Sequence, residues 1–124
     1  MVSSNDEDLV AGWIRYAQDK RDADFWAFDK VNEIVRNDRQ EAWRLILALV
    51  ERAPDDLLGR VGAGPIEHFV RDHHTAVIEQ VAGEARANAR FRDALSWIWF
   101  RQGEMPSHVE RQLLTVTNNA IRVL

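Results

Sequence analysis

Glu67, His68, Asp72, His73 and His74 are the densest group of side chains in the sequence able to bind a metal or move a proton. Glu67 with Arg71, and His68 with Asp72, are four residues apart, so each pair shares one face of a helix. A helical zinc site of the metalloprotease kind sets two histidines four apart with an adjacent glutamate, whereas His68 stands five and six residues before His73 and His74. The spacing speaks against zinc, and no metal is assigned. What remains is a polar site of Glu67, His68 and Asp72, able to hold a ligand or transfer a proton. The plainer reading puts His73 and His74 at a helix C-terminus, where the dipole favours their protonated forms.

Just before this group runs Gly62-Ala63-Gly64-Pro65-Ile66-Glu67. Glycine takes backbone angles closed to other residues, and proline suits the first turn of a helix. A helix is therefore expected to start at Pro65, with Gly64 as N-cap and Glu67 near its third position. There the carboxylate meets free N–H groups, a placement that stabilises by about 0.3–1 kcal/mol. As an anion site the run lacks the lysine and Ser/Thr of a phosphate loop, and Glu67 already fills the anion's place. It reads as a structural turn and cap built from Gly62, Gly64, Pro65 and Glu67, so valine at Gly62 or Gly64 is expected to lower stability.

Nucleophilic catalysis has little to work with. There is no cysteine; Ser96 lies beside tryptophans, Ser107 reads as a cap, and Ser3 and Ser4 fall in an end expected to fray over residues 1–5. No catalytic residue and no cofactor is assigned, and the balance leans away from an enzyme.

The elements that would carry these residues are helices. Apolar residues recur at three and four and strand-like alternation is nearly absent, so the chain reads as one all-α domain over 1–124. Helices are expected at about Asp6 to Asp19, from Asp24 with Phe28, Val31, Ile34 and Val35 inward, and from Arg39 to Arg52 behind an Asp38/Glu41 capping box. The third is apolar nearly all round and is the candidate central element. A turn over Pro54 to Leu58 closes at Gly59. Beyond the glycine run, helices are expected from Pro65 to Asp72, from Thr75 to Ala87, from the Asn88 cap to Gly103, and from a Ser107/Glu110 box onward. In the last of these Val109, Leu113, Val116 and Ala120 face inward. Short polar links imply antiparallel helix pairs, arranged as a HEAT-like α-solenoid or a small orthogonal bundle.

Five tryptophans are the compositional oddity. Trp13, Trp43 and Trp99 fit apolar stripes and are expected in the core. Trp97 and Phe100 fall on the opposite side of the helix that carries Trp99, either sandwiched between neighbours or exposed as an aromatic patch suited to a partner. Trp26 lies off its own stripe in the same way.

Composition bounds the function. The 124 residues carry a net charge of −4, with 13 acids against 9 bases in residues 1–62 and 7 against 7 thereafter. Nucleic-acid binding by a basic face is disfavoured. No run approaches the ~20 apolar residues of a membrane helix, and Met1 to Asp8 is acidic, unlike a signal peptide, so a cytoplasmic protein is expected. Asp19, Asp22 and Asp24 form an acidic connector that could steer a basic partner.

Ala42-Trp43, Ile46-Leu47 and Leu49-Val50, then Gly62-Ala63-Gly64-Pro65-Ile66-Glu67, and finally Phe91, Ala94-Leu95 and Trp99, resemble a family of short bacterial helical domains of unknown function over about 25–99. The resemblance implies a bacterial, soluble, helical domain and supplies no catalytic residue. The leading expectation is a small protein-interaction module, of which an immunity- or antitoxin-like protein is one form. Trp97, Phe100, Trp26, Asp22 and Asp24 are its candidate contacts and an unidentified, basic protein its partner. The alternatives are a self-associating structural protein, and a small ligand-binding protein or enzyme using Glu67, His68 and Asp72.

Overall fold

The computed structural model describes residues 4–124, with side chains from Asp6 onward. Of the end expected to fray, residues 1–3, Ser3 among them, lie outside the described residues, while Ser4 opens the first helix.

Helix α1 (Ser4–Asp19) leads through a 3-10 turn at Asp22–Asp24 into α2 (Phe25–Asn37). The chain reverses at Asp38, whose carboxylate accepts the Glu41 N–H at 3.1 Å and so caps α3 (Arg39–Arg52) as the sequence predicts. Along α3, Ala42, Leu45, Ile46, Ala48, Leu49 and Val50 are buried, and the helix packs against α1, α2 and the later α4, α5 and α6. The helix is buried on most of its circumference but not all of it, since Gln40, Arg44 and Glu51 are exposed and Leu47 is half-buried along one face. Helices α1, α2, α4, α5 and α6 all pack on α3, while the last helix, α7, packs on α5. The all-α class holds.

The middle of the chain departs from expectation. A 3-10 turn at Asp55–Leu57 runs directly into α4 (Leu58–Val61), so Gly59 lies inside a helix and closes nothing. Then Gly62–Ile66 forms a π-helical turn with helical angles throughout, continuous with α4 before it and α5 (Glu67–Ala87) after it. No helix starts at Pro65, Gly64 is not an N-cap, and Glu67 meets no free helix end. Gly62 is required for a tertiary reason instead: a Cβ there would stand 1.8 Å from the Ala94 carbonyl oxygen, whereas one at Gly64 meets nothing within 4 Å. The π turn lets one helix pass against another at a distance only glycine permits.

Helix α5 is two helices in series, joined across a kink at His74, so the break expected between Asp72 and Thr75 is present. It bends at His74 (φ 3°, ψ −83°), where the ring Nδ1 accepts the Thr75 N–H at 2.8 Å and so restarts the helix. His73 Nε2 lies 2.8 Å from the Val35 carbonyl oxygen, near the end of α2. The pair thus stands where the first of the two helices ends, as the plainer reading of the sequence has it.

Asn88 caps α6 (Ala89–Leu95) by accepting the Phe91 N–H at 3.1 Å. Phe91 packs edge-on to Trp43, which stacks on Phe69, so one aromatic contact joins α3, α5 and α6. The helix stops at Leu95, well short of Gly103. Trp99–Phe100 is a short strand, β1, paired in parallel with β2 (Arg122–Val123). Between them α7 (Ser107–Val116) buries Val109, Leu113 and Val116. Ser107 is not its cap, since Pro106 holds that position without a side-chain bond, and Ala120 lies exposed beyond its end.

Candidate functional site

The segment after α6 is built by alternation. From Trp97 to Arg101, residues are exposed and buried in turn: Trp97 is 63% exposed, Ile98 buried, Trp99 42% exposed, Phe100 1% exposed and Arg101 exposed. A period of two belongs to extended chain. The helical expectation for this stretch was therefore wrong in two ways. Trp99 leaves the core that it was expected to join, and Phe100 enters it, so Trp97 and Phe100 form no common patch.

Two side chains of α5 fix this segment. Glu67, 7% exposed, accepts the Trp99 N–H at 3.0 Å through one carboxylate oxygen and Arg71 at 3.3 Å through the other. Arg71 in turn donates to the Trp99 carbonyl at 3.0 Å, and its guanidinium lies 5.7 Å from the centre of the Trp99 ring. Both backbone groups of Trp99 are thus held by side chains, while Leu124 N–H donates to the Phe100 carbonyl and Gln102 N–H to the Leu124 carbonyl on the other edge. Glu104 stands 3.6 Å from Arg71 Nε as a second anion. Pairing both edges of a short strand is what keeps it in place.

Trp97 lies on the helix beneath it. A Cβ at Gly59 would come within 2.9 Å of its ring, so the ring rests against the glycine with its other face toward solvent. Clefts open on both sides. One, of about 890 Å³, is bordered by Asp55, Asp56, Arg60, Arg90, Asp93 and Trp97 among others. The second, of about 550 Å³, is bordered by both Trp97 and Trp99, with Ala63, Ala120 and Arg122.

The charges in the larger cleft are unequal in availability. Arg90 is committed to the end of α3: Nε donates to the Val50 carbonyl at 2.6 Å, one terminal nitrogen donates to Ala53, and the other pairs with Asp55 at 2.6 Å. Arg60 donates to the Ala17 carbonyl at 3.1 Å. The carboxylates of Asp56 and Asp93 have no hydrogen-bonding or ionic partner among the described residues. Free negative charge therefore flanks the exposed face of Trp97.

The other candidates are dispersed. Asp24 is 7% exposed and bonded to Arg15 at 3.1 Å, so it ties α1 to the following turn and is not free for a partner, while Asp22 is exposed. Trp26 is 50% exposed and lies near Gly12, apart from the Trp97 clefts. Glu67 turns inward to Trp99, whereas His68 and Asp72 are exposed, and among the described residues no three His, Asp or Glu side chains are grouped to hold a metal. Glu67, His68 and Asp72 do not assemble into one site. Among the described residues, no helix is long and apolar enough to cross a membrane.

Reading the sequence as helical missed Asp56 and Asp93. The signal that could have found their neighbour was the alternating Trp97-Ile98-Trp99-Phe100-Arg101 run itself. No curated protein and no solved structure was found to match the chain. Residues 15–121 match the family described as "Family of unknown function (DUF6869)", and the chain belongs to it.

Proposed function

We propose that this member of an uncharacterised helical family is a protein-interaction module that receives a basic segment of a partner protein on the Trp97 face. The observation that carries the reading is a tryptophan 63% exposed yet rigidly backed by Gly59, bordering a cleft that also contains the unpartnered carboxylates of Asp56 and Asp93. An arginine or lysine side chain fits that chemistry: its cation lies over the ring face and its N–H groups meet the two carboxylates. Tryptophan is enriched among the residues that dominate binding energy at interfaces, and the surrounding charge would speed encounter with a basic partner. An immunity- or antitoxin-like inhibitor, which blocks a basic effector by covering it, is one form of such a module. We place the protein in a bacterial cytoplasm.

Affinity capture from extract of the source cell tests this with three baits: wild type, Trp97→Ala, and Asp56→Asn with Asp93→Asn. One stoichiometric protein held by the wild type and lost by both variants is the expected result. The same proteins on all three baits would overturn it. Light scattering separates the self-association alternative, in which wild type would be a dimer or larger and Trp97→Ala a monomer.

A further inference from the structure

A third cleft, of about 350 Å³, lies beside the π turn on the side of α1 and α2. Its apolar wall includes Trp13, Phe28 and Pro65. Its polar border is Lys20, Asn32, Arg60 and His68, and no aspartate or glutamate lines it. In a chain of net charge −4 with 13 acids in its first half, a cleft bordered by two full cations and a histidine is a local reversal of sign.

These polar groups are largely unused by the fold. The side chains of Asn32 and His68 make no hydrogen bond among the described residues. Among the described residues the Lys20 ammonium has only the Tyr16 ring beneath it, 4.9 Å from the centroid. Arg60 spends one nitrogen on the Ala17 carbonyl and keeps its other donors. On the inner wall Trp13 Nε1 is buried without a hydrogen-bond partner, in a side chain whose residue is 3% exposed. That nitrogen is too deeply buried to open on the cleft, so Trp13 supplies the apolar wall and its indole N–H is a reporter of occupancy rather than a contact.

Lys20 has a further peculiarity. It follows α1 with φ 56°, the left-handed position where helices usually place glycine. Lys20 thus borders the cleft from a backbone conformation that its side chain disfavours.

We infer that this cleft binds a small organic anion, an apolar or aromatic body carrying one carboxylate. The body would lie against Trp13, Phe28 and Pro65, and the carboxylate would take hydrogen bonds from Lys20, Arg60 and His68. A few convergent polar groups over an apolar wall are the usual composition of a ligand site, and the volume lies at its small end. Sequence reasoning pointed to His68 beside the glycine run but supplied the wrong companions, since Glu67 and Asp72 do not border this cleft. Because Arg60 and Ala63 also border the Trp97 cleft, Lys20 and His68 are the residues that test this site alone.

The test is a titration followed by NMR at the Trp13 indole N–H and the His68 ring, with phenylacetate, benzyl alcohol and acetate as probes. Phenylacetate should move both signals saturably in the millimolar range or below, and benzyl alcohol and acetate should bind at least about tenfold more weakly. Lys20→Gly, which places glycine where the backbone favours it and so keeps the fold, should weaken phenylacetate by about tenfold, and His68→Gln by less. Benzyl alcohol binding as tightly as phenylacetate would mean an apolar crevice only and overturn the inference. So would phenylacetate leaving the Trp13 and His68 signals unmoved, or binding Lys20→Gly as well as wild type.

Discussion

Replacing Glu67 by alanine removes in one step the acceptor of the Trp99 amide and the anion facing Arg71. The Trp99 N–H bond, at 3.0 Å to a carboxylate, is charge-assisted and of a kind that contributes about 1.5–3 kcal/mol. The Arg71 pair adds only in part, because the Glu67 side chain is 9% exposed but that of Arg71 is 31% exposed. It lies between a surface pair, worth about 0–1 kcal/mol, and a buried one, whose breaking costs about 3–5 kcal/mol. The two losses share one carboxylate, so a total of about 3 kcal/mol is expected. For a chain of 124 residues this lowers the melting temperature by roughly 9–15 °C. Thermal unfolding followed by circular dichroism measures it. Glu67→Gln keeps an oxygen for the Trp99 amide and should lose less than half as much. Were Glu67 only a helix-end carboxylate, the loss would be about 0.3–1 kcal/mol. An alanine variant melting within about 3 °C of wild type would refute the clamp.

Other substitutions test neighbouring parts of the account. Gly62→Ala should destabilise by about 3 kcal/mol or fail to fold, because its Cβ meets the Ala94 carbonyl oxygen at 1.8 Å, whereas Gly64→Ala should be neutral or stabilise by up to about 1 kcal/mol. Chemical denaturation of the pair reads both, and equal losses would contradict the packing reason. Asp24→Asn should lose about 1 kcal/mol by weakening the Arg15 bond, while Asp22→Asn should change stability by less than about 0.5 kcal/mol. In the Glu67→Ala protein, hydrogen exchange at the Trp99 amide should accelerate more than at Leu49 in the core. Uniform acceleration would show that the whole fold, not the β1 clamp, depends on the carboxylate.

The first half of the fold, and the start of α6 in the second, are legible because their signals are local. Asp38 caps a helix through a residue three positions on, Asn88 does the same, and the stripes of α1, α2 and α3 are read within a few turns. The second half turns on distant pairs. Gly62 is glycine because of Ala94, 32 positions away, and Glu67 is buried for the sake of Trp99, at the same separation. Gly-Ala-Gly-Pro looks like a helix start, since the residues that make it a π turn lie elsewhere in the sequence. Trp97 to Arg101 is a different failure, because its period of two is plain in the sequence once five residues are read by themselves. The helical rhythm of residues 89–95 was carried too far into it. The candidate site is the least legible: helical periodicity leaves Trp97 and Phe100 open between burial and exposure as a pair, whereas Trp97 is exposed and Phe100 is core, and the carboxylates beside Trp97 come from the turn after α3 and from α6.

The claim that a basic segment docks on Trp97 is tested most directly with a defined probe, an acetylated tri-arginine peptide titrated into the protein. The indole N–H signals of all five tryptophans are followed by NMR. The Trp97 signal should shift saturably, with weaker binding as salt rises from roughly 0.01 M to 0.15 M and in the Asp56→Asn, Asp93→Asn protein. Trp26, half exposed but outside the cleft, should stay still. A Trp97 signal that does not move, or that moves no more than Trp26, would contradict the account.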